Sequence, residues 1–306
     1  LSKNIIYLIL FGVMTSWGFN VIATKVLVEH FMPVTMTAFR IFTAGVFVFI
    51  ILYFLKKIRL PTRKEWVYIL FGGLFNVVGH HFFLSIGLVQ TSAANGGLIL
   101  GFGPLLTAIL SILFLGNTIT LPKLFGMILG IFGVFFIVFE SNGGLQGLSL
   151  GDVSVFLSVL SLAVSFVLIK KVSQTLDPRL MTGYMLVLGS AILFVLSLFL
   201  EPDGMKSMTN GTAGLWAIFM GSAVIATAVG HMMYNFSIGK VGTVEASIFI
   251  NLNPFFALVG AAFFLGEKIL IVQIIGFVLI LSGVMLGSGA FEELMHKRSQ
   301  QHDQSR

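Results

Sequence analysis

Polar side chains able to hold a small solute recur at helical spacing inside stretches that are otherwise apolar. Asn76 and His80 stand four residues apart, and Phe83 and Gly87 continue the stripe. Thr227, His231 and Asn235 form a second stripe of the same kind. Trp17, Asn20 and Thr24 share a third face, because residues three and four apart lie one above the other on a helix. Asn95 and Asn253 are further amides within apolar stretches, each ahead of a proline, Pro104 and Pro254. Amide and imidazole groups both donate and accept hydrogen bonds, so the chemistry on offer is recognition of a polar solute. Two readings stand: these groups wall a central cavity, or they bond packed helices together.

Charged groups are scarcer. Glu245 is the one acidic residue within an apolar stretch away from a loop. It could exchange a coupling proton or bind an amine; its shallow depth, near the start of its helix, favours a dipole-stabilising role instead. Arg40 and Lys25 read as side chains that snorkel or pair locally, with attraction of anionic groups toward an outer mouth as the alternative for Arg40. Covalent and metal chemistry find little support. There is no Cys, and although Ser222 ahead of His231 could form an isolated nucleophile–base pair, no GxSxG or HExxH frames it. His80 and His81 are adjacent, so on a helix they diverge by about 100° and do not easily grip one ion. No metal, no cofactor and no enzyme activity are expected.

The elements that position these groups follow from composition. Hydrophobic residues make up 57% of the 306 residues and charged residues 10%. A soluble domain carries about 25% charged residues, so a bilayer is the solvent that fits. A spanning helix needs about 20 apolar residues. Cutting at charged or Pro/Gly-rich breaks places spans at 4–26, 35–55, 66–88, 92–115, 121–140, 149–170, 180–200, 213–236, 243–265 and 270–288. The fold class expected is all-α, integral to the membrane, with ten transmembrane helices. The first span is too long for a signal-peptide core and no small-residue cleavage site follows it, so it is expected to remain as a helix.

The net charge of +6 does not point to nucleic acid, because its distribution follows the membrane. With the N-terminus inside, 14 of the 18 basic residues fall in inner segments, leaving Lys25, Arg40, Lys206 and Lys268 outside. This is the positive-inside bias, which orients both termini to the cytoplasm. Residues 291–306 form a polar tail.

The chain also repeats. Lys25, Pro33, Met36 and Thr37 are matched by Lys170, Pro178, Met181 and Thr182. Trp66 answers Trp216, Gly79-His80 answers Gly230-His231, and Pro104 to Gly116 answers Pro254 to Gly266. Residues 1–140 and 141–290 are thus expected to be two five-span repeats, and five spans is an odd number, so the second must enter the membrane inverted. Arg40 has Met185 as its counterpart, and Glu245 has Ala93. Two opposed copies can exchange conformations and open a shared site to either side, an architecture common in secondary transporters. Pro104 and Pro254 each remove a backbone donor in mid-span, which makes a paired hinge or an ordinary kink. Glycines such as Gly126, Gly130 and Gly133, with Gly276, Gly283 and Gly287, are packing faces, either between the halves or in a dimer.

The residues resemble the EamA-type proteins of the drug/metabolite transporter superfamily. The likeness is carried by Trp17-Gly18, Phe39-Arg40, Thr91-Ser92-Ala93, Leu113 to Gly116, Thr243-x-Glu245-Ala246, Asn253-Pro254 and Phe263 to Lys268. Asn117 stands where the second repeat has Glu267, and Glu267-Lys268 reads as a structural cap. The resemblance implies a bacterial cytoplasmic-membrane carrier, often an exporter, of amino acids or related small polar metabolites. Alternating access would be powered by a proton or counter-solute gradient, in a monomer or homodimer. An intramembrane enzyme or a passive channel is the alternative.

Overall fold

The computed structural model describes residues 2–115, 120–141, 149–172, 175–241, 246 and 249–287. Every regular element among them is helical. Among the described residues seven helices are long and apolar enough to cross a membrane: α1 (Lys3–His30), α2 (Pro33–Phe54), α3 (Arg63–Gln90), α4 (Ala93–Phe114), α6 (Leu150–Ile169), α7 (Pro178–Leu200) and α8 (Ala213–Val241). Three more are apolar: α5 (Leu121–Ser141), α9 (Asn253–Leu265) and α10 (Ile271–Gly287). Each lies within one of the expected spans or overlaps it. Glu245 and the polar tail fall outside the described residues.

Local sequence explains where the helices begin. Pro33 and Pro178 occupy first-turn positions, where a missing N–H costs nothing. Thr62 caps α3 in a reciprocal box with Glu65, while the Ser92 and Thr212 hydroxyls accept from Asn95 N and Leu215 N to start α4 and α8. Outward faces carry bare hydrocarbon. Leu8, Phe54, Phe199, Phe263 and Ile271 are all more than two-thirds exposed, as lipid-facing side chains must be in a chain with this composition.

The helices pack reciprocally. α2 lies against α7 and α5 against α10. α1 contacts α8 and α9, while their counterparts α6 contacts α3 and α4; α2 meets α8 as α7 meets α3. Small residues permit the closest of these approaches. A Cβ on Gly283 would fall 2.5 Å from Gly130 N, and one on Gly133 3.0 Å from Gly276 O. The glycine faces of the fifth and tenth spans are therefore used within one chain, between its halves.

Two departures from regular helix matter for the site. α3 widens into a π-helical stretch over Leu74–Gly79, and α8 does the same over Ser222–Gly230. Each ends immediately before a histidine, His80 and His231. Such bulges shift side chains off their regular face and concentrate at functional sites. In α4 the helix breaks at Gly101 and Phe102, resuming at Gly103 just before Pro104; Asn251 and Leu252 precede Pro254 in the same way. The two interruptions touch. A Cβ on Gly101 would lie 2.3 Å from Pro254 Cγ, so the bare backbone of one proline break is packed against the ring of the other.

Candidate functional site

The structure gathers most of the polar residues singled out above into one buried cluster in the middle of the helices. Trp17 of α1 lies across the π-helical stretch of α8. Its Nε1 donates to Ala226 O at 2.9 Å, and its ring centroid is 4.8 Å from His231 and 5.1 Å from Tyr234. The indole fits there because Gly230 has no side chain: a Cβ would fall 2.6 Å from Trp17 Nε1. His81 lies beside both His80 and His231, with centroid separations of 4.7 and 5.9 Å. Facing chains of hydrogen bonds tie this cluster to the surrounding helices. Ser222 Oγ donates to Asn20 Oδ1 at 2.5 Å, and Asn76 Nδ2 donates to Ser165 Oγ at 2.9 Å. The spacing that relates Lys25 to Lys170 also relates Asn20 to Ser165, so the two bonds link each widened stretch to matched positions on α1 and α6.

His80 Nδ1 sits 2.7 Å from Ser158 Oγ on α6, and Asn235 Nδ2 donates to Thr182 Oγ1 on α7 at 2.7 Å. Asn253 is buried at the start of α9, and its Oδ1 has no partner among the described residues. Asn95 stands apart. Its Oδ1 accepts from Gln273 Nε2 at 2.7 Å, and it lines a cavity of about 550 Å³ with Lys25, Gln90, Glu267 and Gln273 near one end of the helices. Pro254 lies at the crossing of α9 with α4, against Gly101, while Pro104 follows just beyond it in α4.

Arg40 is placed otherwise than its sequence position suggested. It neither snorkels nor pairs with a neighbour on its own helix. At 1% exposure it is the largest fully buried side chain among the described residues, and its Nη1 donates to Ser222 Oγ at 3.0 Å and Thr227 Oγ1 at 3.2 Å. Both acceptors lie in the widened stretch of α8. Lys25 does pair locally, with Glu29 at 3.1 Å, and also donates to Leu88 O. Sequence reasoning missed Arg40, His81, Tyr234 and Thr182 as members of the cluster, and considered Ser222 only as an isolated nucleophile.

The helix ends are clasped differently on the two faces. On one, the Glu201 carboxylate at the end of α7 accepts from Val34 N (2.9 Å) and Thr35 N (2.7 Å) at the start of α2. Glu267, after α9, accepts from Ala93 N (2.9 Å) and Ala94 N (3.0 Å) at the start of α4. A carboxylate on a helix N-terminus satisfies orphan N–H groups and the helix dipole together. Glu267 is thus a cap, as read, but of a helix in the other half. On the opposite face Arg59 pairs with Glu65 at 2.7 Å, donates to Thr175 O and has its carbonyl bonded by Tyr184. The hydrogen bond to Glu65 raises the Arg59 pKa above its ordinary value.

Known proteins resemble the chain over nearly its whole length. The model of the EamA-like transporter family matches residues 4–139 and again 149–288. An uncharacterized transporter of Bacillus subtilis (strain 168), YyaM, is 30% identical over 290 residues, covering 93% of each chain. A probable amino-acid metabolite efflux pump of Escherichia coli (strain K12) is 27% identical over 283 residues, covering 90% of this chain and 91% of its own. A solved crystal structure shares the fold, with a TM-score of 0.67 at 17% identity, over 96% of this chain and 99% of that one.

Proposed function

The chain belongs to the EamA-like transporter family, an integral membrane protein that moves a small molecule, and from that premise we propose that it is a secondary carrier exporting small polar metabolites such as amino acids. The observation that carries this reading is the reciprocal packing of matched helices around one buried polar cluster. Rocking of residues 1–140 against 141–290 would open the cluster first to one face and then to the other. The clasps supply the two ends of that motion. Release of Glu201 and Glu267 from the helix starts frees one face, and release of the Arg59 contacts with Thr175 and Tyr184 frees the opposite one.

The positive-inside bias assigns the Glu201 and Glu267 face to the outside of a bacterial cytoplasmic membrane, with ten spans and both termini inside. Trp17, Asn20, Asn76, His80, His231, Asn235 and Asn253 would bind the solute, the prolines of α4 and α9 would serve as the hinge, and Asn95 belongs to the outer cavity. Glu245 is kept as the coupling candidate, for a proton or a counter-solute. Because the glycine faces of α5 and α10 are occupied by each other, a monomer is the simplest working unit. A passive channel is disfavoured by the burial of the cluster, since a conducting pore keeps a polar lining along its length.

The test is uptake of a labelled amino-acid mixture into proteoliposomes with and without an imposed proton gradient. Saturable, gradient-sensitive uptake that falls in His80→Ala or His231→Ala supports the assignment. Flux unchanged in both variants would remove the histidines from the site.

A further inference from the structure

We propose that the transported solute carries a carboxylate and that Arg40 is the residue that receives it. The inference rests on the carrier reading above and names the chemistry of its substrate. Arg40 lies about two turns into α2, fully buried, and among the described residues its hydrogen-bond partners are two neutral hydroxyls. Both hydroxyl protons are committed elsewhere, Ser222 to Asn20 and Thr227 to Ser222 O. The oxygens therefore solvate the guanidinium without neutralising it.

No carboxylate among the described residues supplies the missing charge. Glu29 is paired with Lys25, Glu65 with Arg59 and Asp177 with Arg179, while Glu201 and Glu267 hold helix N-termini, Asp152 accepts from Thr91 and Asp203 is exposed. A buried cation inside a membrane protein marks a functional site and calls for a counter-ion. The unpartnered part of Arg40 has the right form for one. Nη1 makes both bonds, whereas Nε is buried with no partner among the described residues. The Nε–Nη2 edge is thus free for the two parallel N–H···O bonds by which guanidinium receives a carboxylate.

The surroundings suit the rest of such a solute. α2 packs against the widened stretch of α8 and against the part of α3 that begins at His80. Both ring nitrogens of the buried His81 lack partners among the described residues, as does Asn253 Oδ1. The cation also occurs on one side only. Met185, at the matched position of α7, packs on Gly72 with its sulfur 2.7 Å from where a Cβ would stand. The site is therefore polar in charge as well as in hydrogen bonding, and a solute enters it in one orientation.

The experiment uses the full chain in detergent with Trp66→Phe and Trp216→Phe, which leaves Trp17, beside His231, as the sole tryptophan of the three. Trp17 fluorescence is titrated with isocaproate and hydrocinnamate, with the amines of matching skeleton, isopentylamine and phenethylamine, and with leucine and phenylalanine. The expected result is saturable binding by at least one carboxylate and by its amino acid, with the matching amine weaker by about tenfold or more. Arg40→Gln should erase that preference and Arg40→Lys retain part of it. Equal binding by amine and carboxylate, binding by amines alone, or no binding by any carboxylate would overturn the proposal. The wild-type series decides this even if the Arg40 variants do not fold. Carboxylate binding without flux in proteoliposomes would instead defeat the carrier reading and leave the Arg40 site standing.

Discussion

Replacing Glu267 by Gln tests whether the carboxylate clasp holds one face shut. The carboxylate accepts from two backbone N–H groups at the start of α4, at 2.9 and 3.0 Å. Glutamine keeps one acceptor oxygen and loses the charge that complements the helix N-terminus. Hydrogen bonds to a charged group contribute about 1.5–3 kcal/mol when well shielded, and helix-terminus charge effects about 0.3–1 kcal/mol near a surface. Glu267 is half-buried, so a loss of about 1 kcal/mol is expected, equivalent to about a fivefold shift toward the open arrangement. The native chain has no cysteine, which makes Ala94→Cys a clean reporter: Ala94 is 1% exposed behind the clasp. Its labelling by a membrane-impermeant maleimide should rise about fivefold in Glu267→Gln. An unchanged labelling rate, with the protein still folded, would refute the clasp.

Three further substitutions probe the packing around the cluster. Gly101→Ala drives a methyl to 2.3 Å from Pro254 Cγ; it should cost about 1–3 kcal/mol, and an unaltered thermal unfolding midpoint in detergent would contradict the crossing of the two breaks. Gly230→Ala should push the Trp17 indole off the widened stretch of α8 and break its bond to Ala226 O, seen as a shift of Trp17 emission in the single-tryptophan chain; an identical spectrum would count against it. Asn235→Leu removes the donor to Thr182 and should destabilise the protein by about 0.6–1.7 kcal/mol; unchanged stability together with unchanged uptake would exclude Asn235 from both the packing and the site.

Much of this architecture was legible in the residues because the membrane imposes strict chemistry. Apolar runs must be helices, and a polar residue within one must have a partner or a function. That logic located Trp17, Asn20, Asn76, His80 and His231, all of which the fold brings into one region. It failed where neighbours in space came from distant helices. Arg40 looked like a snorkelling cation because its own helix offers no partner, and its two acceptors, Ser222 and Thr227, lie on a helix more than 180 residues away in sequence. The π-helical stretches left no periodic signature beyond Gly79 and Gly230, and Asn95 was counted in the same set as an amide ahead of a proline although it bonds Gln273 instead. Glu267 was recognisable as a cap, but the helix it caps could not be read from a local motif. Glu201 was not singled out, since an acid at a helix C-terminus opposes its own dipole and gains meaning only from the start of α2 beside it.

The most direct measurement of carrier function is counterflow in proteoliposomes loaded with an unlabelled amino-acid mixture and exposed to the labelled one at trace level. A carrier that alternates around the buried cluster exchanges the two pools, so label should accumulate transiently above equilibrium, and His231→Ala should abolish that overshoot. Label that only equilibrates, at a rate indifferent to the internal pool and to His231, would contradict alternating access through this site.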